Sequence, residues 1–353
     1  MDLLILPGDG IGPELTAATM KVLTAVNGKH GLGLSFPVEE IGLGPLKKTG
    51  TTLPVHVLER ARQAHGVLLG PISHAEYPPR AQGGINVSGE MRVVFDLYAN
   101  IRPACTPPGT VSSGKRMDLV IVRENTEGFY ADRNLFQGNG EFMPTEDVVL
   151  SIRKITVKGC RRIAKAAFEL ASRRRKKVTA VHKANVLRMA EGVFLREVRA
   201  VAQQYPEVRL EEVLVDAMAA LLVRDPSRFD VVVTTNMFGD ILSDEASELS
   251  GSLGLAGSLN AGDDKAMGQA QHGSAPDIAG KDVANPVSLI LSAAMLLDWM
   301  SGKHGNPKLA AAAKDIFQAV EQALENPATR TRDLGGSLGT QAFAEVVAKN
   351  ISR

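Results

Sequence analysis

Residues 229–254 read FDVVVTTNMFGDILSDEASELSGSLG. The apolar run Val231 to Val233 fits a buried strand. Gly239-Asp240 follows, and after it comes a helix-compatible segment. Asp240 and Asp244 are four residues apart, so a helix points both carboxylates to one face. Like charges so placed repel by roughly 0.2–0.5 kcal/mol unless something positive sits between them. Two readings stay open at this point. In one, the pair holds a divalent cation. In the other, Asp240 caps the helix and Asp244 is solvated.

The strand-then-helix pattern repeats along the chain. Leu3 to Leu6 is a short apolar strand, and the turn Pro7-Gly8-Asp9-Gly10-Ile11-Gly12-Pro13 leads into a helix over Glu14 to Val26. Pro13 suits a first helical turn, where its missing N–H costs nothing. Further strands are expected at Val67–Leu69, Leu119–Val122, Val178–Val181 and Val213–Val215. Helices are expected at Val148–Ser172, Leu187–Gln203, Ala217–Val223, Pro286–Met300, Leu309–Leu324 and Ser337–Lys349. Ser73 to Ser88 is polar and rich in Gly and Pro, which predicts a surface loop. Arg133 to Thr145, with Gly138-Asn139-Gly140 as a turn signal, reads as a projecting arm. The alternation predicts an α/β protein with a largely parallel sheet, whose ligands gather where strands end. Gly8-Asp9, Arg123-Glu124, Lys183, Asp216 and Asp240 each follow an apolar strand.

A length of 353 residues exceeds one ordinary core and predicts two domains or one bilobed unit. The net charge of +1 provides no global field to recruit nucleic acid or a membrane surface. The basic run Arg173 to Lys177 reads as a solvated helix end. Two cysteines, Cys105 and Cys160, make no disulfide framework and fit a reducing cytoplasm. The longest apolar candidate, Val287 to Met300, is broken by serines and Asp298, so no membrane span is expected. MDLLILPGDG lacks the basic start and long apolar core of an export signal.

Several constellations carry chemistry. Gly8-x-Gly10-x-Gly12 has the wrong spacing for a dinucleotide fingerprint, and Pro13 stands where that fingerprint opens its helix, so a Rossmann site is rejected. Arg92, Arg102 and Arg123 suit a substrate with two or three carboxylates, since each guanidinium can bind one bidentately. Asp216, Asp240 and Asp244 offer hard oxygen ligands, which select Mg2+ or Mn2+ over Zn2+. Lys183 near a cation would become a proton acceptor, and Tyr130 can act as an acid. His272-Gly273-Ser274-Ala275-Pro276-Asp277-Ile278, followed by Asn285-Pro286, forms a second tight loop suited to an adenosine. Its acid can accept ribose hydroxyls and repels a 2′-phosphate.

These segments, in this order, resemble the β-decarboxylating dehydrogenases that act on isopropylmalate, isocitrate, homoisocitrate, tartrate or D-malate. The likeness spans essentially the whole chain. It rests on residues 8–14 (GDGIGPE), 96–103 (DLYANIRP), 122–128 (VRENTEG), 182–185 (HKAN), 235–244 (TNMFGDILSD) and 272–277 (HGSAPD). The resemblance implies a bilobed isopropylmalate-dehydrogenase-like fold with a large mixed sheet, distinct from Rossmann. Residues 1–99 with 255–353 would form the cofactor-side domain. Residues 100–254 would form the substrate, metal and dimerisation domain, with an arm near 133–147. It also implies a homodimer in which the partner subunit lends a lysine and an aspartate to each site.

Carried over by motif, Arg92, Arg102 and Arg123 would hold the malate carboxylates, with Asn86 and Ser88 facing the substituent on C3. Asp216, Asp240 and Asp244 would hold Mg2+ or Mn2+, with Asp216 coming from the other subunit. Lys183 would take the hydroxyl proton through Asp216 or a water, and Tyr130 would protonate C3. Ile11, Asn185, His272, Gly273, Ala275, Asp277, Ile278 and Asn285 would hold NAD. Two departures stand out. The family's usual Glu-Pro-x-His-Gly reads Gln269-Ala270-Gln271-His272-Gly273 here, and residues 86–91 (NVSGEM) lack both an apolar pocket and an arginine at Gly89. A small or polar C3 substituent follows, with Glu90 awkward for a third carboxylate if it faces the site. The expected activity is NAD-dependent oxidative decarboxylation of a hydroxy dicarboxylate or tricarboxylate. The alternatives are a tartrate or D-malate enzyme, a non-catalytic regulatory subunit, and a metal-dependent lyase without nicotinamide.

Overall fold

Residues 1–110, 115–130 and 140–352 are described by the computed structural model. In chain order the elements are β1 (Leu3–Leu6), α1 (Gly12–His30), α2 (Leu43–Thr49), α3 (Val55–Gln63), β2 (Gly66–Leu69), α4 (Val87–Val94), β3 (Ala99–Cys105) and β4 (Asp118–Glu124). Next come β5 (Glu141–Thr145), β6 (Val148–Ser151), α5 (Val157–Ser172), β7 (Lys177–His182), α6 (Arg188–Ala202), β8 (Arg209–Leu214), α7 (Val215–Arg224) and β9 (Val231–Thr234). The last are α8 (Asn236–Ser250), β10 (Leu259–Ala261), β11 (Ala266–Gln269), α9 (Val287–His304), α10 (Pro307–Glu325) and α11 (Thr340–Ile351).

Nine strands form one mixed sheet in the order β1-β2-β11-β10-β3-β4-β9-β7-β8. The two flanks are parallel: β1 with β2, β2 with β11, β4 with β9, β9 with β7, and β7 with β8. The middle is antiparallel, β11 with β10, β10 with β3, and β3 with β4. The expectation of a largely parallel sheet therefore holds for the flanks and gives way at the centre. There the three-residue β10 lies in the glycine-rich stretch 251–262, whose pattern signals only a break in periodicity.

Apolar side chains sort onto the sheet in four clusters. Two are built from residues before Tyr98 and after Gly254: one beneath α1, α9, α10 and α11, and one against α3 and α4. The other two are built from Tyr98 through Leu249, against α5 and α6 on one face and α7 and α8 on the other. In the β3–β4 register, Arg102 lies opposite Ile121 and Asn100 opposite Arg123. Cross-strand partners share a face, so both arginines project to the side that α8 covers.

Two expectations are corrected, and the arm is seen only in part. The helix expected over Val148–Ser172 begins at Val157, because Thr156 caps it by accepting the Gly159 N–H at 3.0 Å. Residues Val148–Ser151 are instead β6, which pairs antiparallel with β5. Of the arm near 133–147, residues 133–139 lie outside the described residues, and Glu141–Thr145 is β5. The loop expected over Ser73–Ser88 holds two short 3-10 turns, and its last two residues open α4, with Ser73 and Ser88 buried. Among the described residues no helix is long and apolar enough to cross a membrane.

Candidate active site

The helix α8 starts earlier than the sequence pattern suggests. Thr235 occupies its N-cap position and Asn236 its first residue, so Asp240 sits inside the helix and does not cap it. Asp240 and Asp244 lie one turn apart and face the arginines of β3 and β4. Arg102 Nη1 stands 3.4 Å from Asp240 Oδ1 and 3.2 Å from Asp244 Oδ1. Arg123 pairs with Asp240 and donates to Asn236 Oδ1 from Nε at 3.0 Å and Nη2 at 2.6 Å. Gly239 makes this approach possible, since a Cβ there would lie 2.6 Å from Arg123 Cγ.

The two guanidiniums are only 9% and 3% exposed, yet their acidic partners are half open to solvent. Burial, followed by the repulsion of Arg102, pulls the Arg123 pKa down to about 10. Burial likewise lowers that of Arg102. Both arginines are thus costly charges that call for anions.

A cavity of about 400 Å3 opens beside them. Asn86, Ser88, Gly89, Arg92, Arg102, Arg123, Tyr130, Asp240, Gln269 and Ile72 line it. Seven residues singled out from sequence, Asn86, Ser88, Arg92, Arg102, Arg123, Tyr130 and Asp240, therefore share one wall. Asn86 also serves the helix behind it, where its Oδ1 caps α4 by accepting the Gly89 N–H at 2.9 Å. Glu90 does not line the cavity; Arg80 holds it through two contacts of 2.8 and 3.2 Å.

Lys183 and Asp216 are placed elsewhere. Lys183 follows β7, Asp216 lies in the first turn of α7, and Nζ meets Oδ1 at 2.5 Å. That hydrogen bond holds the exposed Asp216 carboxyl below its ordinary pKa. Neither residue lines the cavity, and no group of three metal-ligating side chains is assembled among the described residues. Within one chain, then, Asp240 and Asp244 come together, and Asp216 stays with Lys183. The Asp240–Asp244 pair nevertheless suits a cation, because the Arg102 guanidinium already bridges the two carboxylates.

Of the expected cofactor residues, Ile11, His272, Gly273 and Ala275 lie where two turns meet. Ile11 donates its N–H to Ser274 O at 2.8 Å, and Gly10 approaches so closely that a Cβ would lie 2.1 Å from that oxygen. Ala275 adopts a left-handed conformation, with φ of 36°. His272 Nδ1 contacts Gly273 O at 3.0 Å, and Nε2 is buried with no hydrogen-bond partner among the described residues. Burial lowers the His272 pKa. Asp277 is exposed on a 3-10 turn that reaches Ile278, Asn285 Nδ2 donates to Asp333 at 2.9 Å, and Asn185 is exposed after Lys183. A half-buried imidazole whose Nε2 is unpartnered and an open acid fit the two ends of an adenosine.

Sequence reading misses the Glu191–Arg153 pair that holds this frame. Glu191, fully buried in α6, accepts the Lys183 N–H at 3.2 Å and pairs with Arg153. Arg153 Nη2 also donates to Thr235 Oγ1 at 3.0 Å, and the guanidinium lies over the rings of Phe129 and Phe238. One ion pair thereby joins the strand end carrying Lys183, the start of α8 and the loop carrying Tyr130. Asp9 similarly ties three segments, accepting from Leu43 N at 2.8 Å, Ser73 N at 3.0 Å and Tyr77 Oη at 2.5 Å. Asp9 carries a sequence signal in its place after the end of β1, whereas nothing local marks Glu191 in its amphipathic helix.

The family model described as isocitrate/isopropylmalate dehydrogenase matches residues 2–347. The chain belongs to that family. It is similar to the 3-isopropylmalate dehydrogenase of Saccharolobus solfataricus, at 40% identity over 98% of each chain. It is 43% identical to the isocitrate/homoisocitrate dehydrogenase of Thermus thermophilus, over 98% of this chain and 97% of that one. The crystal structure of isocitrate dehydrogenase from Methylococcus capsulatus superposes with a TM-score of 0.87 at 39% identity, covering 100% of this chain and 99% of the other. The family's mixed-sheet fold is the one described above, and membership makes the chain an oxidoreductase, a decarboxylating dehydrogenase.

Proposed function

We propose that this protein oxidises and decarboxylates a 3-substituted malate with a polar or small C3 substituent, using NAD and Mg2+ or Mn2+. The observation that carries the reading is the cavity in which three arginines meet one aspartate, a wall built to bind several carboxylates. Arg92, Arg102 and Arg123 bind the malate carboxylates and fix C2 and C3. Asp240 and Asp244 supply hard oxygen ligands for the cation, and Asp216 of a second copy completes the set. When bound, the cation supplies Lewis-acid charge for the oxygen on C2 and NAD supplies the hydride acceptor.

The remaining steps belong to the chain's own residues. Lys183 Nζ takes the hydroxyl proton through Asp216, to which it is already bonded, or through a water, as the C2–H bond is lost. The bond between C3 and its β-carboxylate then breaks, carbon dioxide leaves, and the electron pair is held as an enolate. Tyr130 Oη delivers a proton to C3 of that enolate. His272, Asp277 and Asn285 orient the adenosine half, and the open carboxylate of Asp277 favours NAD over a 2′-phosphorylated cofactor.

A homodimer is supported by the exposed apolar side chains of the β5–β6 hairpin: Phe142, Met143, Val148, Val149 and Leu150. Two free cysteines suit a reducing cytoplasm. Retention of Tyr130, Lys183 and all three aspartates argues for an active enzyme over a regulatory subunit. The test is NADH formation with Mg2+ or Mn2+ across isocitrate, homoisocitrate, isopropylmalate, tartrate and D-malate, repeated with NADP. Metal-dependent turnover of at least one substrate, lost in Lys183→Ala, is expected; no reduction of either cofactor by any of them contradicts the reading.

A further inference from the structure

Gln271 follows β11 by two residues and immediately precedes His272. Its backbone N–H donates to Ser288 Oγ on α9 at 3.2 Å, which fixes where the side chain starts. From there the amide reaches α8. Nε2 donates to Asp244 Oδ1 at 2.9 Å and to Ser247 Oγ at 3.1 Å. These two partners decide which end of the amide faces α8. An ionised carboxylate only accepts, and the Ser247 hydroxyl uses its own proton on Ser243 O at 2.7 Å. Both therefore require a donor. Oε1 is left buried with no hydrogen-bond partner among the described residues, so the amide is held by its nitrogen alone. A buried acceptor left over in this way is unfavourable and calls for a reason.

Two donors meet Asp244 Oδ1, and they differ in charge. Arg102 Nη1 lies 3.2 Å from that oxygen, 3.4 Å from Asp240 Oδ1, and donates to Ser243 Oγ at 2.7 Å. In the reading above this guanidinium serves a substrate carboxylate, and its charge opposes a cation on Asp244. The Gln271 amide carries no net charge and can hold Oδ1 without repelling a cation. Both donors land on Oδ1, which leaves Oδ2 unbonded among the described residues. Asp244 is open to solvent, so without a tether several side-chain rotamers would be available to it.

We infer that Gln271 is a positioning residue that holds the Asp244 carboxylate ready for the divalent cation. The inference rests on the dehydrogenase reading above, which gives Asp240 and Asp244 to that cation. A donor behind a ligating carboxylate fixes its orientation before the metal arrives, and losing such a donor lowers metal affinity about 10- to 100-fold.

The test titrates Mn2+ into the full-length enzyme, without substrate or NAD, and follows the electron paramagnetic resonance signal of the free ion. Wild type, Gln271→Met, Asp244→Asn and the double variant are compared. The Mn2+ Kd should rise about 10- to 100-fold in Gln271→Met. In the Asp244→Asn background the same substitution should change Kd by less than about twofold, because the amide acts through that carboxylate. The melting temperature in EDTA should barely move in Gln271→Met, since methionine fills a similar space and removes the unpartnered oxygen. The rise in melting temperature that Mn2+ brings should shrink. Gln271→Ala deletes the amide without refilling its place and should show the same loss of Mn2+ affinity, which keeps the comparison readable if methionine fits poorly. An unchanged Kd in both variants, or an equal loss with and without the Asp244 carboxylate, overturns the role of Gln271 and leaves the dehydrogenase reading intact. Wild-type protein that binds no Mn2+, alone or with isocitrate or isopropylmalate present, contradicts the cation site of that reading itself.

Discussion

Two acid–base clusters built from the same side-chain chemistry differ in what they are free to do. In the first, Arg102 and Arg123 are buried on the sheet and gripped by Asp240, Asp244, Asn236 and Ser243. In the second, Lys183 and Asp216 meet at the surface, 27% and 64% exposed. The buried cluster is finished by one chain and cannot lose a member without stranding a charge. The exposed pair adds little to stability and keeps its proton-carrying atoms accessible. Positioning and proton transfer are thereby separated, and mutation should resolve them.

The largest contrast is expected at Lys183. Lys183→Ala should lower kcat by roughly 10^2 to 10^4, the range of a positioned acid–base group, while the melting temperature barely moves. Steady-state rates and a thermal melt on the same sample check this, and a large drop in melting temperature would erase the contrast. Next comes the link between the clusters. Glu191→Ala removes a fully buried carboxylate that pairs with Arg153 and accepts the Lys183 N–H. It should cost about 3–5 kcal/mol in denaturant unfolding, and Glu191→Gln should recover part of that. A cost near zero would mean the two clusters are held independently.

A smaller effect tests the buried cluster alone. Gly239→Ala places a methyl 2.6 Å from Arg123 Cγ. It should cost about 1–3 kcal/mol and raise KM more than it lowers kcat, because the arginine that binds substrate is the group displaced. Unchanged KM would show that Arg123 does not bind the carboxylates.

The smallest effect lies in the cofactor loop. Burial depresses the His272 pKa below the usual 6.5, so the folded state resists protonation more than the unfolded chain does. The ring's contribution is therefore complete above pH 6.5 and declines as the pH falls from there toward the folded-state value. Melting temperatures of the wild type and His272→Gln between about pH 7.5 and 5.5 should diverge by a shallow slope, steeper in the wild type. Parallel curves would remove this titration from the account.

How far the sequence can be read follows the same division. Arg102, Arg123, Asp240 and Asp244 sit on or beside elements with clear periodicity, so their convergence is legible from strand ends and i, i+4 spacing. The start of α8 is not, because Thr234, Thr235, Asn236 and Asp240 are all residues that can cap a helix and Gly239 mimics a turn, whereas in the fold it lets Arg123 in. Val148 to Ser151 reads as helical because the helical pattern of α5 runs on behind it, and only the Thr156 cap separates the two. Glu191 and Arg153 are far apart in sequence, and nothing local marks a glutamate in an amphipathic helix as buried. Gln269 stands out as a departure from a motif, but its place beside Ser88 depends on sheet order, which local patterning does not encode.

The proposal that each active site is shared between two chains is tested most directly by complementation. Inactive Lys183→Ala and Asp240→Ala proteins are dissociated, mixed in equal amounts and reassociated. If Lys183 of one subunit serves the cavity of the other, each mixed dimer contains one intact site, and activity should recover to about one quarter of wild type, since half of the dimers are mixed. If both residues act within one chain, every site stays damaged, and a mixture no more active than its parents contradicts the account.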